Sequence, residues 1–148
     1  MMPLSMTDES FSIFEGTVNG RPLVAMVNAA LRSFGGKDTL PFFLSIGTQL
    51  KNPTSNGLVT SSEADDLNNW EEAVESRLMG RGRFVFVGRV TWNAQRELLY
   101  YLESKESFTA ALKALSDDHF TRPFKFFCEK DSGWHWADLW LDRCQPRP

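Results

Sequence analysis

The chain has 148 residues, 42% of them hydrophobic and 13% aromatic, with a formal net charge of -3. That length suits one domain, residues 1–148, which buries about 68–70% of the surface its unfolded chain exposes and needs no covalent staple. The composition excludes general disorder, two cysteines are too few for a disulfide framework, and the acidic balance argues against general nucleic-acid affinity.

The opening MMPLSM has neither the basic stretch nor the apolar run of a signal peptide, and no segment reaches the ~18 apolar residues of a membrane span. The expectation is a cytoplasmic protein with no membrane association. From Phe11 to Asn28, two apolar-rich runs flank Asn19-Gly20, the strongest short hairpin signal because both central residues must accept positive φ. A two-residue turn there pairs Val18 with Arg21 and Phe14 with Ala25. PFFLSIGTQL, from Pro41, alternates Phe42, Leu44, Ile46 and Leu50 against Ser45, Gly47 and Gln49, as a strand with one buried and one open face does. The turn-rich Lys51–Gly57 loop delivers the chain to Ser61-Ser62, a helix cap.

Ala64, Leu67, Trp70, Val74 and Leu78 recur at helical spacing between Ser62 and Met79, with Glu63, Asp65 and Asp66 in the first turn, where the helix dipole favours them. Gly80 stops this helix. FVFVGRVTW (Phe84–Trp92) turns at Asn93-Ala94 into RELLYYL (Arg96–Leu102), a strand pair whose first member is apolar enough to be covered on both faces. Ser104 caps a second helix with the stripe Phe108, Ala111, Leu112 and Leu115, ended near Asp117-Asp118 and Pro123. PFKFFCEK, from Pro123, is a last strand in which Cys128 acts as a small buried hydrophobe. A Trp-rich tail follows from residue 131, where Trp136 and Trp140 form a stripe that packs on the sheet.

The order strand, helix, strand, strand, helix, strand over residues 41–130 is that of an α+β, ferredoxin-like βαββαβ antiparallel sheet with two helices on one face. The N-terminal β-hairpin, residues 11–28, either covers the second face or extends an edge.

Asn56–Leu78, Val87–Tyr101 and the Asp131-x-x-Trp134 tail ending near Pro146 resemble a bacterial family of unknown function, number six-nine-five in the DUF series. They are also similar to the ribonuclease E activity regulator B family, itself ferredoxin-like. The chain departs from that pattern at Asn93-Ala94, where glycine is usual, at Val59, where proline is common, and in lacking the regulator's long acidic tracts. The resemblance implies a non-enzymatic regulator whose partner is another bacterial protein, with a ribonuclease as the implied example. The missing tracts bear on the ribonuclease rather than on the fold.

Residues 61–79 hold six acidic side chains against one arginine, and residues 80–105 hold five basic against two acidic. The candidate partner surface is therefore Glu71, Glu72 and Glu75 on the first helix, Arg81, Arg83 and Arg89 after it, and Trp134 and Trp136 in the tail. The bland alternatives are a solubilising acidic face and arginines, Arg96 included, that pair with the neighbouring helix. RGRFVFVG is similar to the aromatic signature of RNA-recognition motifs but falls on the second strand rather than the third, so Phe84 and Phe86 read as core. His135, Asp138 and Asp142 share a helical face without a second shell to orient a metal, and neither His119 nor His135 lies in a nucleophile motif. The expectation is no catalytic residue, no metal and no cofactor. The alternative function is a small-ligand or RNA-binding module on the open sheet face, marked by a pocket lined by Tyr101.

Overall fold

A computed structural model of the protein describes residues 10–118 and 122–144. Met1–Met6, His119 and Pro146 lie outside the described residues, as does the side chain of Cys144. The Asn-Gly signal produces the hairpin it predicts: β1 (Phe11–Val18) and β2 (Arg21–Asn28) join through Asn19 at φ 51° and Gly20 at φ 78°, pairing Val18 with Arg21 and Phe14 with Ala25. The chain continues through β3 (Phe42–Gln49), α1 (Ser61–Leu78), β4 (Phe84–Trp92), β5 (Gln95–Leu102), α2 (Glu106–Ser116), β6 (Lys125–Lys130) and α3 (His135–Leu141). A 3-10 turn, Ala29–Ser33, leads away from β2.

The six strands form one sheet in the order β1-β2-β4-β5-β3-β6, with every neighbouring pair antiparallel. The N-terminal hairpin thus extends the sheet past β4 and covers neither face. α1 buries Leu67, Trp70, Val74 and Leu78, and α2 buries Phe108, Ala111, Leu112 and Leu115, both against Leu44, Ile46, Leu98, Tyr100 and Leu102. Neither expected serine cap forms. Thr60 precedes α1 and Lys105 precedes α2, each without a side-chain capping bond, and the Thr60 hydroxyl donates instead to the Asn52 carbonyl at 2.7 Å.

The second face of the sheet is closed at its centre, where the alternation of β3 predicted an open one. Phe43, Val85, Val87, Leu99 and Tyr101 pack there beneath Leu31, Leu40, Trp134, Ala137 and Leu141. The Asp131-x-x-Trp134 motif builds this cover. The Asp131 carboxylate accepts from the Tyr101 hydroxyl at 2.7 Å and from the backbone N–H groups of His135 and Trp136, both at 3.0 Å. These bonds satisfy amides at the start of α3 that no helical carbonyl reaches. Trp134 lies flat on Tyr101, ring centroids 4.0 Å apart, and its indole N–H donates to the Leu40 carbonyl at 2.8 Å. The fully buried face of α3 is therefore Ala137 and Leu141 with Trp134 ahead of them, and the Trp136 and Trp140 stripe expected from the sequence packs only in part: Trp136 stacks on Phe43 while staying 43% exposed, and Trp140 is half-buried against the same core.

Candidate functional site

A β-bulge decides which residues meet at the site. β4 slips register against β5 between Phe86, opposite Tyr100, and Gly88, opposite Leu99, so that Arg89 stands opposite Leu98. The extra residue returns Arg89 to the sheet face under α1, which simple alternation from Phe86 would have denied it. Gly88 is needed for close approach as well, since a Cβ there would run into the Met26 carbonyl oxygen of β2.

On that face Arg89 meets Glu71 of α1 at 2.8 Å, and Arg96 of β5 binds the other carboxylate oxygen at 2.6 Å while donating to Thr91 Oγ1. Glu71 is thereby tied down rather than exposed. Glu72 and Glu75 remain exposed. With Asn68, Phe86, Arg89 and Tyr100, the three glutamates line a cavity of about 250 Å³ between α1 and the sheet. Phe86 and Tyr100 form its aromatic floor, ring centroids 5.1 Å apart. Burial pushes the Tyr100 hydroxyl far up, and the nearby carboxylates of Glu75 and Glu71 push it further, so Tyr100 is a neutral phenol in an acidic wall. Glu71 is neutralised by Arg89 and Arg96, so the exposed carboxylates of Glu72 and Glu75 give the pocket its negative rim. A cavity of about 390 Å³ near Thr48 and Pro123 is larger, but among the described residues Lys125 is the only charged one that lines it.

An apolar shelf adjoins the pocket. Strands lie about 4.8 Å apart and a helix is about 10 Å wide, so two helices cover about four strands. The core beneath α1 and α2 draws on β3, β4, β5 and β6 and on nothing from β1 or β2. Phe11 packs on Phe86, and Ile13, paired with Met26, is 70% exposed.

The structure thus brings together Glu71, Glu72, Glu75 and Arg89 of the candidate surface and separates the others. Arg81 is exposed, and Arg83 turns away to donate to Thr39 Oγ1. Trp134 is wholly buried, which removes it from any partner surface. Trp136 is 43% exposed on the opposite face, stacked on Phe43 at 5.5 Å, with its N–H on Glu129. Tyr101, the expected pocket residue, is spent on Asp131, and its neighbour Tyr100 lines the cavity instead. Among the described residues, no group of three or more His, Cys, Asp or Glu side chains is placed to hold a metal ion, and no helix is long and apolar enough to cross a membrane.

The architecture is an α+β domain with a six-stranded antiparallel sheet. A family model described as "Family of unknown function (DUF695)" matches residues 9–140, and the chain belongs to that family. No curated protein and no solved structure matches the chain.

Proposed function

We propose that this chain is a non-enzymatic regulatory domain that binds another protein, through a basic segment laid in the groove beside α1. The observation that carries this is the pairing of an acidic, aromatic-floored pocket with an uncovered apolar shelf, a combination suited to a cationic side chain with apolar neighbours. A non-catalytic role draws support from Glu63, Asp131 and Arg122, whose polar groups are taken up by structural bonds.

In this reading the unit from β3 to β6 is ferredoxin-like. Its strand order, β4-β5-β3-β6 with α1 and α2 on one face, supports that assignment. The proposed kinship with ribonuclease E activity regulator B, and with it a bacterial and cytoplasmic setting, rests on the sequence motifs together with this order. A ribonuclease is the first partner to test.

Glu72→Lys with Glu75→Lys should leave the melting temperature nearly unchanged and abolish capture of a basic partner, with association slowed most at low salt. Glu71 is left intact because it holds two arginines. Capture that survives both changes rejects the groove. RNA binding lost with Arg81→Glu and Arg83→Glu, and kept with the glutamate changes, rejects the protein partner. The cavity favours one second reading, a small cationic ligand: an alkylamine bound through Glu72 and Glu75, with no protein captured, would support it.

A further inference from the structure

Both ends of the sheet are edges, and they are built differently. β6 is flanked by exposed Lys125 and Lys130, charges of the kind that discourage another strand from adding on. β1, FSIFEGTV, has no lysine, arginine or proline, and its pairing with β2 runs unbroken from Phe11 to Val18. At ~3.4 Å per residue this is an edge of about 27 Å.

The turn settles which main-chain groups point outward. A two-residue hairpin makes Val18 and Arg21 a hydrogen-bonded pair, so alternate residues back along β1 bond to β2. The Ala29 N–H, which donates to the Ser10 carbonyl at 2.7 Å, continues that alternation. The N–H and C=O groups of Phe11, Ile13, Glu15 and Thr17 therefore face away from the sheet, where no described strand meets them.

We propose that a second copy of this chain occupies this edge, β1 against β1 in antiparallel pairing about a two-fold axis at Ile13. The backbone accepts any strand, and the side chains select the occupant and the register. Centring the axis on Glu15 would oppose two carboxylates, and centring it on Phe14 would set each Glu15 against an isoleucine. Centring it on Ile13 buries the strand's most exposed large apolar side chain against its own copy and sets Glu15 against a phenylalanine ring. The pairing is isologous and closes, forms about six main-chain hydrogen bonds, and joins two six-stranded sheets into one. It lies in the plane of the sheet and leaves the acidic pocket beside α1 open, while drawing Phe11 and Ile13 of the apolar shelf into the dimer; Glu72→Lys with Glu75→Lys therefore bears on the pocket alone, and Glu15→Pro on the edge alone.

Sedimentation equilibrium of the whole chain tests it, together with single cysteines in a Cys128→Ser, Cys144→Ser background. The expected results are a wild-type dimer and rapid disulfide formation by Ile13→Cys, because Cα atoms of a hydrogen-bonded antiparallel pair lie about 5.5 Å apart, within disulfide reach. Glu15→Pro removes one outward N–H without touching a bond to β2 and should weaken the dimer at least about tenfold with an unchanged circular dichroism spectrum. A monomer persisting into the millimolar range overturns the proposal. So does a dimer indifferent to Glu15→Pro, or cross-linking that is faster at Phe14→Cys or Glu15→Cys than at Ile13→Cys.

Discussion

Arg122 and Glu63, 59 residues apart in sequence, form an ion pair in which each side chain is only 2% exposed. Arg122 also donates to Asp66, to Thr48 Oγ1 and to the Gln49 carbonyl, and Glu63 accepts the N–H groups of Lys51 and Asn52, both at 2.8 Å. One joint thus ties the end of β3, the start of α1 and the approach to β6. The sequence places Glu63 in the first turn of the helix, where the dipole favours it, and the fold turns it inward.

Removing one partner of such a pair strands a buried charge. Arg122→Met should cost about 3–5 kcal/mol in urea denaturation, and adding Glu63→Gln should recover part of that, because the amide oxygen can still accept a backbone N–H. A single-mutant cost under about 1 kcal/mol would show that water reaches the pair.

Acid should weaken the fold through two carboxylates. Burial alone would raise Glu63, but the Lys51 N–H, Arg122 and the Asn52 N–H outweigh it and hold the carboxyl below its ordinary 4.5. For Asp131, burial is outweighed by the Trp136 N–H, the Tyr101 hydroxyl, the His135 N–H and the His135 ring, which hold it below 3.8. Folded values below unfolded ones mean that the unfolded chain binds more protons in between, so stability rises with pH there. The contribution is complete above the ordinary values and is lost as pH falls through the lowered ones. The melting temperature should drop below about pH 4.5, and Asp131→Asn should flatten that slope; an identical slope in the variant would remove Asp131 from the account.

The two tryptophans at the head of α3 should behave oppositely. Trp134→Ala removes a fully buried ring stacked on Tyr101 and should cost about 3–5 kcal/mol. Trp136, half-exposed on Phe43, should cost well under half as much. Equal losses by thermal melting would contradict the packing of α3.

Ala94 should gain from replacement. It sits at φ 64° in the β4–β5 turn, where its N–H donates to the Gly57 carbonyl at 3.0 Å and its own carbonyl accepts from the Leu50 N–H at 2.8 Å. A left-handed alanine costs roughly 1–2 kcal/mol, partly offset in glycine by the freer unfolded chain. Ala94→Gly should therefore raise the melting temperature by a few degrees, and a drop would mean that the turn relaxes elsewhere.

What the sequence determined by itself was local. Asn19-Gly20 specified its turn and register because two adjacent positive φ angles suit few other residues, and the stripes of α1 and α2 specified their buried faces because spacing alone puts those side chains on one side of a helix. The acidic character of α1 was legible for the same reason. Tertiary structure decided what those faces meet. A single extra residue in β4 swings Arg89 to the other side of the sheet and onto Glu71, and no periodic pattern records which strand will bulge. Arg122 finds Glu63 only after β6 has crossed back beside β3, and Trp134 becomes core only because Asp131 turns the chain over the far face. Secondary-structure periodicity is a property of neighbouring residues, whereas the partner of a charge or a ring depends on which distant segments the assembled sheet brings within a few ångströms.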